Sequence, residues 1–213
     1  MTRVATRFAG YHPSRHCVEA VRAGAAWLTG QSSYRHSQLA PEQLALLDRL
    51  EDVGFTPVRA GFPYNRAAIT VPYRREPIVR SSTRNVAQFL AARRSGQFQA
   101  ELVAHLTPLV ERVSARLLLI CGSCGLEFLA AALPRLPVPA ALEILAVALG
   151  PVGRVPAPHP RLRLYTVRGG GDLISRLGCR LGTDLGVSGG HMDYADNPVV
   201  RDVVVRLAAD FLR

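Results

Sequence analysis

The stretch RLLLICGSCGLEFLAAAL, residues 116–133, places an apolar run of strand length directly before a turn of small residues and an apolar helical segment. Residues 116–121 are almost uniformly apolar, which is typical of a strand buried on both faces of a parallel sheet. Residues 125–133 are predicted to be helical. This strand–turn–helix unit predicts an α/β fold and places Ser123 in its turn.

Outward from this unit, strand-like and helical segments alternate. Strands are predicted at residues 3–10, 55–60, 142–149, 162–167 and 184–188, and helices at 41–53, 98–113 and 198–212. We therefore expect a mostly parallel sheet of about six strands flanked by helices, in one domain spanning residues 1–213. Residues 13–40 are predicted to be an insertion, partly helical around 17–28, and residues 61–84 a lid-like, Pro- and Arg-rich connection.

Ser123 has the surroundings of a nucleophile elbow. Cys121 lies two positions before it and Gly125 two positions after it, giving the pattern Cys-x-Ser-x-Gly. A sharp strand-to-helix turn forces its central residue to positive φ, and large side chains two positions away would collide with neighbouring elements. The pattern predicts that Ser123 is an exposed nucleophile.

An acid and a base follow the serine in the chain. Asp172 ends the glycine-rich loop Val-Arg-Gly-Gly-Gly-Asp after the strand predicted at 162–167, and Asp184 and Asp193 are the alternative acids. His191 lies in Gly-Gly-His-Met-Asp-Tyr just before the last helix, where glycines would let the ring approach the serine. We predict Asp172 and His191 as its catalytic partners.

Residues 3–12 and 41–213 resemble the α/β-hydrolase superfamily, most strongly at the elbow and the histidine loop, and in the order Ser, Asp, His. The resemblance implies a compact serine hydrolase of the esterase or thioesterase type with little or no cap, acting without cofactor or metal. It also implies an oxyanion hole formed by the backbone N–H groups of Cys124 and Tyr11. The chain departs from larger family members in lacking opening antiparallel strands and in having Cys121 at the first small position.

The connection at residues 61–84 mixes apolar and basic side chains. Phe62 and Tyr64 could line a substrate site whose rim carries Arg74 and Arg75. An apolar lining with a basic rim suits an acyl chain delivered by coenzyme A or an acidic acyl-carrier protein. An ordinary solvated loop, with arginines that reflect codon composition, is the other interpretation, and both stay open. The triad alone does not choose between ester and thioester substrates.

The formal net charge is +10, and all 26 basic residues are arginines. Without zinc-finger spacing or interleaved aromatics, this charge is more typical of a solvated basic surface than of a nucleic-acid groove, so no nucleic-acid partner is expected. No apolar run reaches membrane-spanning length and no leader is recognisable, which predicts a cytoplasmic protein with no membrane partner. The four cysteines need not form disulfides in a reducing compartment.

Two alternatives to a serine hydrolase remain. Cys121 and Cys124 form a C-x-x-C before a helix and resemble a thioredoxin-like redox centre, in which a thiol at a helix N-terminus has a lowered pKa. A hydrolase-like scaffold without activity, serving as a binding module, is the second. Cys124 as nucleophile is disfavoured, because Leu126 would then occupy the small position. No metal-ligand spacing is found among the other histidines.

Overall fold

A computed structural model describes residues 11–213 of the chain. Its strands are β1 (Val21–Leu28), β2 (Thr56–Pro57), β3 (Val113–Gly122), β4 (Glu143–Leu149), β5 (Leu162–Gly169) and β6 (Leu185–Val187). Its α-helices are α1 (Pro41–Asp52), α2 (Ile78–Arg94), α3 (Gly96–Arg112), α4 (Gly125–Ala132), α5 (Leu173–Gly178) and α6 (Pro198–Leu212). Helices thus separate most of the strands, as the sequence pattern predicts.

The six strands form one parallel sheet in the order β2-β1-β3-β4-β5-β6. β3 is the longest strand and lies between β1 and β4, with Leu118 opposite both Ala25 and Leu145. Its apolar run is buried because helices cover both faces of the sheet. The predicted fold class, an α/β fold with a parallel sheet of about six strands, is confirmed.

Each face of the sheet has its own hydrophobic core. Phe98 and Leu102 of α3 pack with Phe128 of α4 on one face. On the other face, α1 and α6 pack against Trp27 of β1 and Ile120 of β3. Since the two cores hold β3 from both sides, the residues that follow it are presented at a fixed position on the carboxyl edge of the sheet.

The start of α6 follows the sequence prediction closely. The Asn197 side chain accepts hydrogen bonds from the N–H groups of Val199 and Val200, and Pro198 occupies the first helical position. The Asn side chain pairs with backbone N–H groups that have no partner within the helix, and Pro at the first position already has a helical φ and no N–H to satisfy. The helix therefore begins directly after the histidine loop and fixes where that loop ends.

Three predicted elements differ from the structure. Residues 17–28 were expected to be partly helical within an insertion, but Val21–Leu28 is strand β1, beside β3. Burial decides this, because residues 23–28 are all enclosed between the two cores. The strand predicted at 55–60 shortens to Thr56–Pro57, and the connection at 61–84 ends in the first turns of α2. The strand predicted at 3–10 lies outside the described residues.

No helix within residues 11–213 combines the length and apolarity needed to cross a bilayer.

Candidate active site

Ser123 stands in a strained turn between β3 and α4. Its φ is 49°, in the left-handed region that non-glycine residues rarely adopt. Its N–H donates to the Leu149 carbonyl at 3.1 Å, and its carbonyl accepts from Val152 N–H at 3.0 Å. A Cβ at Gly125 would lie 1.8 Å from the Leu28 carbonyl oxygen, so no side chain fits there. The turn has the features of the predicted elbow.

His191 reaches the serine from the loop between β6 and α6. Its Nε2 lies 2.9 Å from Ser123 Oγ. The loop is held by its own hydrogen bonds: Gly190 N–H donates to Asp193 at 2.6 Å, and the Asn197 amide donates to the Ser188 carbonyl at 3.0 Å. The imidazole is therefore presented by a braced loop.

Asp172 lies on the far side of the imidazole. Its carboxylate oxygens are 3.0 and 2.9 Å from His191 Nδ1, and Ser175 N–H donates to it at 2.9 Å. Burial opposes its ionisation, but hydrogen bonds from Tyr194, Ser175 and His191 outweigh burial and lower the pKa of the carboxyl. An ionised Asp172 accepts a hydrogen bond from His191 Nδ1–H, which leaves Nε2 as the acceptor toward the Ser123 hydroxyl.

The two alternative acids have other partners. Asp184 accepts from Thr166 N–H at 2.7 Å at the start of β6. Asp193 binds Gly190 within the histidine loop. The structure thus brings together Ser123, His191 and Asp172, the residues selected from the sequence.

Tyr194 contacts Asp172 and is a fourth residue of the candidate active site, which the sequence analysis did not identify. Its hydroxyl donates to Asp172 at 2.6 Å and accepts from Gly169 N–H at 2.7 Å. Burial and then the hydrogen bond to Asp172 raise the pKa of the phenol, which keeps it protonated. A Cβ at Gly150 would come within 2.4 Å of the Tyr194 ring, so the glycine makes room for this contact. Only its position three residues after His191 could have drawn attention to it.

The loop after β4 braces the site from behind. Glu127, fully buried on α4, accepts from Arg154 N–H at 2.8 Å and Arg154 Nε at 2.7 Å, and pairs with Arg93 of α2 at 3.2 Å. In the same loop the Pro151 carbonyl accepts from the Ser175 hydroxyl at 2.9 Å. Glu127 therefore connects the serine helix to the loop that also positions the residues around Asp172.

Cys124, one of the two predicted oxyanion donors, directly follows Ser123 and is the N-cap of α4, so its backbone N–H lies at the N-terminus of that helix. Tyr11 was predicted from the loop after a first strand at residues 3–10, which lies outside the described residues, and the strand beside β3 is Val21–Leu28. The loop that follows that strand lies next to the serine: a Cβ at Gly30 would come within 2.7 Å of Cys124 Sγ. Tyr11 instead precedes a turn whose His12 carbonyl binds the Asn65 amide at 2.8 Å.

The predicted substrate residues divide into two pairs. Phe62 is 3% exposed and Tyr64 is 0% exposed, and the Tyr64 hydroxyl donates to the Trp27 carbonyl at 2.8 Å. Both rings belong to the core, so the prediction that they line an open site is wrong. Arg74 and Arg75 are exposed, and Arg75 pairs with Glu42 at 3.0 Å. They remain candidates for a basic rim.

Cys121 and Cys124, the two cysteines of the C-x-x-C, are buried and form no disulfide with each other. Burial raises the pKa of Cys121 and of Cys124 to about 12. A redox-active thiol needs access and a lowered pKa, so the lowered pKa expected from the helix N-terminus is wrong. Within residues 11–213, no group of three or more His, Cys, Asp or Glu side chains is arranged to hold a metal ion.

No protein-family model matches this chain, and no curated protein sequence matches it. The chain is similar in structure to a protein from Xanthomonas campestris pv. campestris that is provisionally assigned to the alpha/beta hydrolase superfamily. The match covers 90% of this chain and 98% of that one, with 14% sequence identity and a TM-score of 0.47. Similarity at this level does not indicate a shared activity. Any statement about the activity of this chain depends on the geometry of its own site.

Proposed function

We propose that this chain is a serine hydrolase that cleaves a carboxylic ester or thioester through an acyl-enzyme on Ser123. The observation that carries the proposal is the aligned chain of contacts from Ser123 Oγ through His191 Nε2 and Nδ1 to the Asp172 carboxylate, at 2.9 to 3.0 Å. This arrangement, at a strained strand-to-helix turn, can activate a serine hydroxyl as a nucleophile.

In the first half-reaction, Ser123 Oγ attacks the substrate carbonyl carbon while His191 Nε2 accepts the hydroxyl proton. Cys124 N–H, at the start of α4, donates to the oxygen that becomes negative. His191 then gives its proton to the departing alcohol or thiol as the carbonyl carbon–heteroatom bond breaks. Asp172 stays ionised and stabilises the imidazolium that forms between these transfers.

In the second half-reaction, water takes the place of the alcohol or thiol. His191 removes a proton from the water as it attacks the acyl-enzyme, and returns that proton to Ser123 Oγ when the acyl–serine bond breaks. The products are a carboxylic acid and free enzyme. Ester and thioester substrates need the same groups, and an acyl-coenzyme A or a carrier-bound thioester would meet the exposed Arg74.

Fluorophosphonate labelling tests the proposal. The wild-type chain should be labelled covalently, with the modified peptide containing Ser123, and Ser123→Ala should not be labelled. Ser188→Ala, at an exposed serine of the histidine loop, is the matched control and should retain labelling. Absence of labelling in a folded wild-type chain would contradict the proposal and favour a binding module without activity.

A further inference from the structure

Apolar side chains project into solvent next to the acid and base of the site. α5 begins directly after Asp172, and on it Leu173 is 66% exposed, Ile174 57% and Leu177 89%. Met192, the residue after His191, is 68% exposed. Large apolar side chains are rarely left this exposed together unless they contact something else.

Helix α2 provides a second exposed apolar strip at the same edge of the sheet. Its inner side binds the loop after β1: Arg84 donates to the Ser32 carbonyl at 2.8 Å, and Gln88 accepts from Gln31 N–H at 2.8 Å. Near its other end, Arg93 pairs with Glu127 of the serine helix. α2 therefore lies across the carboxyl edge, beside the elbow.

The outer side of α2 carries Val79, Val86 and Leu90, which are 79%, 56% and 40% exposed. Helical spacing places these three residues on one face, opposite the buried Ser81 and Gln88. Exposed apolar side chains are thus present on α2, which lies beside the elbow, and on α5, which begins directly after Asp172. By contrast, the described residues that lead into β1, β3 and β4 at the amino edge include no exposed large apolar side chain.

Unpaired arginines accompany these apolar side chains. Arg74, Arg94, Arg176 and Arg180 are exposed, and none forms an ion pair with another residue in the range 11–213. α2 contains four arginines and no acidic residue. Exposed apolar side chains flanked by arginine are the combination that binds an anionic lipid interface, with the apolar groups inserted and the guanidinium groups at the headgroups.

We propose that the carboxyl edge docks on an anionic lipid surface through α2 and α5, with Ser123 between the two contacts. The apolar groups lie on two separate helices, one of them about 25 Å long. A fluid surface accepts such separated insertions, whereas a folded protein partner needs one continuous complementary patch. This proposal departs from the expectation of no membrane partner, which was based on the lack of a membrane-spanning run, and peripheral docking requires no such run.

The lipid surface also indicates a substrate class, an ester of an apolar acyl chain held in that surface. This second step rests on the proposed function, whereas docking does not. Binding is therefore measured with Ser123→Ala, which cannot turn over lipid, and activity is measured separately by fluorophosphonate labelling of the wild type.

Vesicle flotation tests the docking. Ser123→Ala protein should float with vesicles of phosphatidylcholine mixed with phosphatidylglycerol and less with pure phosphatidylcholine, and high salt should weaken the binding. In the Ser123→Ala protein, Leu177→Asp should weaken vesicle binding about tenfold, and so should Val79→Asp, because each replaces an inserted apolar side chain with a charge. Both side chains are more than three-quarters exposed, so the fold should not change.

Two controls separate docking from general charge effects. Ala20→Asp introduces the same charge at an exposed position before β1, on the amino edge, and should leave binding unchanged. Arg176→Glu should weaken binding more than Arg22→Glu, since Arg22 is exposed near the start of β1. No binding to anionic vesicles, or equal losses at both edges, would overturn the proposal. A stable complex with an acidic acyl-carrier protein and no vesicle binding would overturn it in favour of a protein partner.

Discussion

Glu127 and Glu143 each form ion pairs with two arginines, but the two glutamates lie at opposite edges of the sheet. Glu127 follows the elbow at the carboxyl edge, is fully buried, and contacts Arg93 and Arg154. Glu143 begins β4 at the amino edge, keeps 29% of its side chain exposed, and lies 3.2 Å from Arg163. The buried carboxylate ties a helix to a loop, whereas the exposed one joins two neighbouring strand ends.

Positive φ occurs at both edges, since Gly54 (φ 106°) precedes β2 at the amino edge, but the strained Ser123 lies at the carboxyl edge. Ser123, Gly150 and Gly189 have positive φ, and all three lie in the loops of the carboxyl edge. The structure places its strained turn, its buried carboxylates and its exposed apolar side chains at that edge. Sites of this kind are held in place by the stability of the surrounding fold, here the two cores on either side of β3.

The largest effect is expected from a change that removes chemistry without removing packing. His191→Ala should lower kcat/KM by about 10³-fold or more while costing only about 1 kcal/mol of unfolding free energy, because the imidazole, 14% exposed, gives up its hydrogen bond to Asp172. Hydrolysis of p-nitrophenyl esters and urea denaturation measure the two quantities. A variant that loses stability in proportion to activity would mean that His191 serves the fold rather than the reaction.

Glu127→Gln should cost about 3 kcal/mol of unfolding free energy, because it leaves two arginines facing a buried amide. The value lies at the low end for buried ion pairs, since Arg93 and Arg154 keep 39% and 49% of their side chains exposed and can turn to solvent. In urea, the midpoint should fall at unchanged m. Activity should fall too, since the loop after β4 holds Ser175 and through it Asp172. Full activity in a destabilised variant would separate Glu127 from the site.

Tyr194→Phe should lower kcat about tenfold, because Asp172 loses the hydrogen bond that contributes most to lowering its pKa. The pKa of Asp172 should rise, and activity should begin to decline at a higher pH on the acidic side. In the wild type this hydrogen bond stabilises the folded state at pH values above 3.8, the ordinary pKa of an aspartate carboxyl group. The contribution is lost as the pH falls through the lower pKa that Asp172 has in the folded state. The wild-type and Tyr194→Phe unfolding free energies should therefore converge in acid.

If the pH–activity profile of Tyr194→Phe shifts but its unfolding free energy differs from that of the wild type by the same amount at every pH, the role assigned to this hydrogen bond is wrong. Tyr165→Phe on β5, where the ring is only partly buried, is the matched control and should change neither profile.

The sequence predicted what is local and missed what depends on distant partners. The elbow is a local pattern, and its glycine is required by a contact with the backbone of the adjacent strand. β1 was mistaken for helix because its alanines favour helix, and only burial between two cores makes Val21–Leu28 a strand. Tyr11 was assigned to the oxyanion hole from the resemblance, as the residue after the strand predicted at 3–10, whereas the first strand that the structure describes is Val21–Leu28. Tyr194 and Glu127 carry no spacing signal, since their partners come from other loops.

The smallest effect is expected at the amino edge, where Glu143→Gln repeats the Glu127→Gln substitution in a different environment. Arg163 is 70% exposed and Arg116 lies at the 4.0 Å limit of an ion pair, so water screens both interactions and can replace them. The unfolding free energy should change by at most about 1 kcal/mol, with no change in kcat/KM. Raising the salt concentration should reduce even this difference, because exposed pairs are screened. Urea titrations of the two glutamine variants at low and high salt make the comparison directly. Equal losses at Glu127 and Glu143 would mean that burial does not distinguish the two edges.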